Sequence, residues 1–199
     1  MSIQPSTIKR PYSSGRRQQL IALAAELFLQ HSYDAVTVEM IAARAGITGP
    51  GLYRHFQNKQ AVLIAVLEEP TRVVHEVAKR IAETATEPKA AIVAMVESHI
   101  RLILQGPPST LIFMKNEHAL PENDRRRIRR EMALYAEEWV SVVMPLRPDL
   151  SEAEARLLTQ GVFSMLNTAA TLKKGLDEES ISSIMRQAAL HALLGRGEL

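Results

Sequence analysis

The sequence predicts an all-α protein of about nine to ten helices, in which a three-helix N-terminal unit precedes a larger helical domain. Apolar residues recur at helical spacing, beginning with Leu20, Ala24 and Phe28 in a first helix expected at residues 15–31. No competing strand pattern is found in the sequence. The breaks between periodic segments are rich in residues that end helices, as in Gly106-Pro107-Pro108.

Two short helices joined by a glycine turn are expected after the first helix. Thr37 supplies an N-cap oxygen for the first of them, and Gly46 can adopt the left-handed conformation that ends it. Thr48 offers the next N-cap, and Pro50 fits the first turn, where its missing N–H costs little. Two such helices, packed on a preceding one, form a helix-turn-helix.

The remaining helices are predicted from the same periodicity and from their caps. Asn58 is expected to cap a fourth helix, which Glu68-Glu69-Pro70 should kink or divide. Ser151 and Glu154 match a capping box. Further helices are expected at about residues 71–86, 88–105, 109–118, 122–144, 151–174 and 179–194. We expect one domain in residues 1–60 and a second in residues 61–199.

Composition places the chain among folded globular proteins. It has 199 residues, of which 46% are hydrophobic and 23% charged, so it can bury a core. Cysteine is absent, which excludes disulfides, thiolate metal sites and a cysteine nucleophile. The first residues lack the apolar stretch of a signal peptide, and no apolar run is long enough to span a bilayer. We therefore expect a cytoplasmic protein.

Charge is distributed unevenly along the chain, although the net charge is +2. Residues 1–60 carry seven Lys or Arg against three acidic residues, a balance of +4, and the other 139 residues carry −2. Phosphate contacts supply most of the non-specific affinity for nucleic acids. The asymmetry favours a polyanionic partner for the N-terminal third.

A specific pattern of residues covers the predicted helix-turn-helix. It reads Thr37-Val38-x-x-Ile41-Ala42-x-x-Ala45-Gly46-Ile47-Thr48, followed by Leu52-Tyr53-x-His55-Phe56-x-x-Lys59. Over about residues 15–65 it resembles the DNA-binding signature of tetracycline-repressor (TetR) family regulators. The resemblance implies a homodimer whose third helices enter the major groove of a palindromic operator in double-stranded DNA. It also implies a repressor that a small effector releases from that operator.

The resemblance suggests roles for individual residues. Phosphate contacts are expected from Thr37, Tyr53, His55 and Lys59. Base reading is expected from Arg54 and Thr48 and from backbone approach at Gly51. Lys9, Arg10, Arg16 and Arg17 could follow the phosphate backbone or enter the minor groove. Two alternatives stay open, since Tyr53 could be a core aromatic and His55 an ordinary exposed histidine.

The sequence departs from the family pattern within helix three. Gly49-Pro50-Gly51 stands where family members often carry Lys or Arg, then Gly or Ala, then Ser or Thr. These residues remove side chains that could touch bases or phosphates. We expect Phe56 to be a core residue and Arg44 a surface charge near the DNA.

The second domain is expected to bind an effector and to form the dimer. Apolar stripes on its last two helices predict a four-helix bundle across a two-fold axis, formed by Leu158, Val162, Met165, Ala169, Ile184, Ala188 and Ala192. The alternative is that both stripes pack within one protomer. Candidate effector contacts, each of which could instead be a core residue, are Met95, His99, Leu102, Phe113, Met114, Tyr135, Trp139, Phe163 and Asn167.

An apolar effector follows from that lining, and family analogy suggests an acyl or steroid-like metabolite. A run of five arginines between Arg125 and Arg130 is expected to be a solvated face with pairs from Glu122 to Arg126 and from Arg127 to Glu131. Alternatively, this run could attract an anionic effector such as a coenzyme A ester.

Enzyme chemistry is not predicted. Gly46-x-x-Gly49-x-Gly51 lacks a preceding strand and the GK[ST] ending of a phosphate loop. His75-Glu76-x-x-Lys79 has Lys where a zinc helix needs a second His. No cofactor or metal is expected. The alternatives to an effector-released repressor are a constitutive DNA-binding dimer and a regulator that requires a corepressor.

Overall fold

The computed structural model describes residues 15–106, 108–169 and 175–195, and the regular structure in these ranges is entirely helical. This confirms the predicted all-α class. Nine α-helices and one 3-10 turn lie in the described ranges: α1 Arg16–Gln30, α2 Val38–Arg44, α3 Gly49–Tyr53, α4 Lys59–Thr84, α5 Pro88–Gln105, α6 Ser109–Asn116 with Glu117–Ala119 as the 3-10 turn, α7 Glu122–Leu146, α8 Glu152–Thr168 and α9 Glu178–Leu194. Lys9 and Arg10 lie outside the described residues.

The predicted caps of the N-terminal helices are present. The side chains of Thr37, Thr48 and Asn58 each accept a hydrogen bond from the backbone N–H three residues further on. Gly46 has φ = 65°, in the left-handed region that glycine adopts at no steric cost. The tight turn between α2 and α3 is therefore encoded locally.

The predicted division of the fourth helix is wrong, because α4 is one helix of 26 residues that runs through Pro70, whereas a kink at Pro70 stays a prediction. Pro70 has no N–H to donate to the carbonyl of Val66, which costs helix stability. Pro70 itself is buried, and the hydroxyl of buried Thr71 donates to the Leu67 carbonyl at 2.6 Å. Because α4 packs along α7, we attribute its continuity to tertiary contacts that offset the lost hydrogen bond.

Later helices follow the prediction with shifted ends. The segment expected at 109–118 is α6 completed by the 3-10 turn, and α7 extends to Leu146. The capping box of Ser151 and Glu154 is present at the start of α8. Helix α8 ends at Thr168, and residues 170–174 of the expected helix lie outside the described ranges. In the described part of the chain, no helix is both long and apolar enough to cross a membrane.

Two apolar clusters form the core. One is built from α1 to α3 and the first third of α4, and also takes Ile112, Leu120 and Ile128 from later elements. The other contains the apolar faces of α5, α7, α8 and α9. Helix α4 begins in the first cluster, and its Ala78 lies in the second. Helix α4 thus connects the two clusters, and α7 does so as well through Ile128.

Helix α6 is bound to the end of α1. The buried side chain of Asn116 donates from Nδ2 to the carbonyl of Phe28 at 3.1 Å, and Lys115 donates from Nζ to the carbonyl of Leu29 at 2.9 Å. These donors satisfy carbonyls that a helix leaves free at its carboxyl end. The last turn of α6 therefore contacts the N-terminal helices directly.

Candidate nucleic-acid interface and buried cavity

Helix α3 exposes the face that the sequence assigns to DNA. Leu52 and Phe56 are buried beneath the helix, which confirms the expectation that Phe56 is a core residue. Tyr53, Arg54 and His55 are all exposed, and Tyr53 is 53% accessible. The alternative of Tyr53 as a core aromatic is therefore wrong.

Arg54 differs from the other basic residues of this region. Among the described residues up to 60, it is the one Lys or Arg whose side chain has no hydrogen-bond or ion-pair partner within the chain. Arg44 pairs with Glu26 at 2.7 Å. Arg54 follows directly after α3, so its guanidinium is free to meet an external acceptor.

The other predicted basic contacts bind groups of the chain itself. Arg16 donates to the carbonyl of Ala45 at 2.7 Å, at the end of α2. Arg17 pairs with Glu69 of α4 and lies over the ring of Phe56. These bonds hold the helix-turn-helix against α1 and α4, whereas contact of either arginine with DNA stays a prediction.

The side chain of Lys59, the first residue of α4, is bound by the loop before α2. Its ammonium donates to the carbonyls of Tyr33 and Val36, both at 2.8 Å, and lies 4.0 Å from the centre of the Tyr33 ring. Thr37, which follows Val36, is exposed, and its hydroxyl keeps a proton to donate after accepting its cap bond. Thr48 is exposed in the same way at the start of α3.

The two glycines of α3 leave open space around the helix. A Cβ atom at Gly49 would meet nothing within 4 Å, and one at Gly51 would have ordinary contacts of 3.5 Å and more. Neither glycine has positive φ. Neither the available space nor the backbone conformation therefore requires glycine at these two positions.

We expect Gly49→Lys to fold normally and to bind DNA more tightly and with a steeper dependence on salt. Each new phosphate contact should steepen the slope of log K against log salt by about 0.9. Fluorescence anisotropy with duplex DNA at three salt concentrations measures this slope. Gly49→Gln is the neutral control, and an unchanged slope for Gly49→Lys would place position 49 away from the phosphates.

A cavity of about 50 Å³ lies between helices α4 to α8. Helices α4, α5, α6, α7 and α8 and the residue before α6 supply its lining, which consists of Pro70, Thr71, Val74, His99, Leu102, Ile103, Pro108, Ser109, Thr110, Met132, Tyr135 and Asn167. None of these side chains carries a formal charge, except that His99 would become positive if it were protonated. The cavity is much smaller than the usual 300 to 1,000 Å³ of a pocket for a drug-sized ligand.

An aromatic cluster borders this cavity. The rings of His99 and Phe163 are stacked with centroids 5.0 Å apart, and Trp139 meets His99 edge-on at 5.8 Å. Nδ1 of His99 lies 2.8 Å from the hydroxyl of Tyr135. Burial lowers the pKa of His99 to about 4 and raises the pKa of Tyr135, so both groups are neutral near pH 7.

The structure brings together part of the predicted effector set. His99, Leu102, Tyr135 and Asn167 line the cavity. Met95, Trp139 and Phe163 are core residues of the same cluster of the fold, and the last two contact His99.

Two predicted effector residues lie elsewhere. Phe113 belongs to the N-terminal apolar cluster, beneath Arg129, and Met114 is 69% exposed. Apolar character alone selected them, and it does not distinguish the two clusters.

Sequence reasoning missed part of the cavity lining. Thr71, Ser109 and Thr110 line it, together with the flexible Met132. Ser109 follows a pair of prolines, which indicated a helix start but no ligand. Thr71 follows Pro70, where a helix boundary was expected, so it was not placed on a helix face that borders a cavity. No local signal marks these residues as cavity-lining.

The arginine run forms a paired surface. Arg126 pairs with Glu122 as predicted, but the expected pair of Arg127 with Glu131 is wrong. Arg127 pairs with Glu68 of α4 and with Asp124. Glu131 instead lies 2.6 Å from Nδ1 of His75, because α4 and α7 pack side by side. Arg129 of the same run pairs with Glu117, at 2.5 Å.

The predicted dimer residues divide between the core and the surface. Val162 and Ala169 are buried within a single protomer, and Leu158, Met165 and Ala192 pack partly against the same core. Ala188 is half-buried. Ile184 of α9 is 51% exposed, and α8 exposes Leu157, which the predicted stripe omitted. Helical periodicity does not reveal which core an apolar face meets, so the sequence could not separate these buried residues from a dimer surface.

Comparison with protein families decides the relationship. Residues 20–66 match the family described as bacterial regulatory proteins, tetR family. Residues 85–193, over half of the chain, match the family described as tetracyclin repressor-like, C-terminal domain. The chain belongs to the TetR family. The first match covers α1 to α3 and the start of α4, and the second begins where α4 has ended.

This TetR-family chain is similar to two regulators of Mycolicibacterium smegmatis (strain ATCC 700084 / mc(2)155). It is 29% identical over 103 residues to the HTH-type transcriptional activator FasR, which is 52% of this chain and 47% of FasR. It is 29% identical over 159 residues to the HTH-type transcriptional repressor KstR2, which is 73% of this chain and 74% of KstR2. The chain thus matches about half of the length of FasR and three quarters of KstR2.

A solved structure shows the same fold. The TetR-family chain matches AibR, crystallised in complex with isovaleryl coenzyme A and operator DNA, with a TM-score of 0.72 and 19% sequence identity. The match covers 87% of this chain and 97% of the AibR chain. The likeness therefore extends over most of the chain.

Proposed function

We propose that this TetR-family protein is a homodimeric transcriptional repressor, released from a palindromic DNA operator when a small apolar effector enters the cavity beside His99. The observation that carries the DNA-binding part is the free guanidinium of Arg54 at the end of α3. The neighbouring Lys and Arg side chains described up to residue 60 are engaged within the chain, whereas the guanidinium of Arg54 is available to an external partner. A guanidinium matches O6 and N7 of guanine in the major groove.

The exposed neighbours of Arg54 complete the proposed contact surface. Tyr53 and His55 offer a hydroxyl and a ring nitrogen next to it, while Thr37 and Thr48 offer hydroxyls at the starts of α2 and α3. Hydroxyl and backbone N–H groups at such positions commonly bind phosphate and fix the register of a recognition helix. Arg54 and the backbone of Gly51 then supply the sequence reading.

Helices α8 and α9 are the proposed dimer surface. Leu157 on α8 and Ile184 on α9 are large aliphatic side chains that are more than half exposed in the single protomer. Burying them against a second copy would remove their apolar surface from water. A two-fold dimer would also present two α3 helices to the half-sites of a palindrome.

We expect Leu157→Arg combined with Ile184→Arg to give a monomer, because the partner's copy of the same charges would meet them across the two-fold axis. Light scattering after size exclusion should give a mass near 22.1 kDa for this variant and twice that for the wild type. Leu134→Arg, at an exposed leucine of α7, is the control and should stay dimeric. A double variant that remains a dimer would move the interface to another surface.

An effector-driven change is supported by the size and position of the cavity. At about 50 Å³ it cannot enclose a metabolite unless its walls move apart. Those walls include the start of α6, whose last residue holds the carbonyl of Phe28, and α4, whose Glu69 holds Arg17 of α1. Ligand entry would therefore strain contacts that position the DNA-binding helices.

The comparisons support a regulator that binds DNA and a ligand. That the ligand weakens DNA binding is our proposal. AibR shares the fold and has been crystallised with an acyl coenzyme A and operator DNA, and KstR2 is a repressor. FasR, by contrast, is an activator, which keeps a regulator that requires its ligand for DNA binding as the second candidate. The sign of the effector's influence on DNA affinity separates the two.

Selection of duplexes from a random DNA library by the purified protein tests the proposed function. We expect enrichment of one palindrome with half-sites about 10 base pairs apart, bound by two protomers. Enrichment of a single half-site without its repeat would contradict the dimeric reading mode. The absence of any enriched sequence would contradict operator recognition itself.

A further inference from the structure

The polar atoms of the cavity indicate the chemistry of its occupant. Nε2 of His99 and Oγ of Ser109 are buried in residues that line the cavity, and neither has a hydrogen-bond partner within the chain. The side chain of His99 is fixed by its stacking on Phe163 and by its bond to Tyr135 through the other nitrogen. Buried polar groups without partners are costly, which makes Nε2 a ready binding point for a ligand.

The charge of the cavity restricts the ligand group that can bind there. No Lys, Arg, Asp or Glu lines it. The other titratable side chain in the lining is Tyr135, whose hydroxyl pairs with Nδ1 of His99. Burial holds the pKa of His99 near 4, so the ring is neutral at physiological pH. A carboxylate or phosphate placed here would lose its hydration without gaining an opposite charge.

We propose that the cavity binds an apolar ligand through an uncharged oxygen, a carbonyl or a hydroxyl, that pairs with Nε2 of His99. The inference rests on the proposed role of the cavity as the effector site. Ser109 provides a hydroxyl that can pair with the same oxygen group. An ionised head group of the same molecule would have to stay outside this cavity.

The tautomer of His99 decides between the two kinds of oxygen. If the Tyr135 hydroxyl donates to Nδ1, then Nε2 carries the proton and donates to a carbonyl or a hydroxyl. If Nδ1 carries the proton and donates to Tyr135, then Nε2 accepts and pairs with a hydroxyl alone. A ketone and an alcohol of equal length therefore report the tautomer.

Trp139 provides a direct signal for ligand binding. It is the single tryptophan of the chain, and its ring meets the His99 ring edge-on at 5.8 Å. A ligand at Nε2 changes the surroundings of this indole without any need for DNA. Quenching of Trp139 emission therefore measures affinity for the cavity separately from operator binding.

The test compares 2-hexanone, 2-hexanol and hexanoate at pH 7 by Trp139 fluorescence, with the purified 199-residue protein. We expect one or both of the neutral probes to bind at least about tenfold more tightly than hexanoate. His99→Phe, which retains a stacking ring, should weaken the neutral probe about tenfold or more, whereas His99→Gln, which retains an amide near Nε2, should recover part of the affinity. Thr159→Val, which removes an unpartnered buried hydroxyl that does not line the cavity, should bind like the wild type.

Three outcomes would overturn the proposal. They are equal or tighter binding of hexanoate, unchanged affinity in His99→Phe, and no binding of either neutral probe. Operator binding is measured on the same protein samples before any probe is added, so it does not depend on these results. Loss of probe binding with operator binding intact therefore contradicts the ligand chemistry alone, whereas absence of operator binding in the probe-free protein contradicts the proposed function.

Discussion

Replacement of Arg54 by alanine should lose specific operator binding while leaving the fold intact. Arg54 is exposed and makes no hydrogen bond or ion pair with any other described residue, so its truncation removes no internal contact. Each bidentate contact to guanine contributes about 1–3 kcal/mol of discrimination, and a dimer loses two of them. We expect at least a tenfold rise in Kd for the selected palindrome, measured by fluorescence anisotropy.

The matched control for this variant is Arg101→Ala. Arg101 is an exposed arginine of α5, so its replacement lowers the net charge by the same amount far along the chain from α3. We expect Arg101→Ala to retain wild-type affinity. Equal losses in the two variants would mean that Arg54 acts through net charge, and an unaffected Arg54→Ala would remove it from the recognition surface.

Stability should fall as the pH drops from about 6.5 towards 4, because His99 is buried in its neutral form. In the unfolded chain this histidine gains a proton below its ordinary pKa of 6.5, whereas in the native protein its pKa is about 4. The unfolded state therefore binds more protons over this window, and the free energy of unfolding decreases as the pH falls. The full difference corresponds to about 3 kcal/mol.

Urea unfolding at pH 7 and at pH 4.5, followed by Trp139 fluorescence, measures this loss. We expect His99→Gln to lose about 2–3 kcal/mol less than the wild type between the two pH values, since its side chain does not titrate. His31→Gln, at an exposed position, is the matched substitution and should retain the wild-type loss. Identical losses in wild type and His99→Gln would contradict a buried neutral His99.

The helix-turn-helix could be predicted almost completely from the sequence. Its caps at Thr37 and Thr48 and its left-handed Gly46 act within a few residues of their own position, so local chemistry determines them. The same is true of the capping box that begins α8. The prediction failed at Pro70, because the burial and packing that keep α4 intact come from residues distant in the sequence.

The sequence predicted the kind of each candidate site better than it predicted the residues that form it. The exposed row of Tyr53, Arg54 and His55 follows from helical spacing next to buried Leu52 and Phe56. The engagement of Arg17 with Glu69 needed the tertiary structure, because 52 residues separate the pair. Thr71, Ser109 and Thr110 of the cavity lining were missed for the same reason, since they come from α4 and α6, which are distant in the sequence.

Coupling between the cavity and the DNA surface is tested by measuring the affinity for the operator at saturating effector. A neutral, oxygen-bearing apolar compound that quenches Trp139 is added to saturation, and the Kd for the selected palindrome is measured by anisotropy with and without it. We predict a rise of at least fivefold in Kd, with an equal loss of compound affinity when the operator is present, as reciprocal linkage requires. An unchanged operator Kd, in samples where quenching of Trp139 shows that the cavity is filled, would contradict coupling between the two sites.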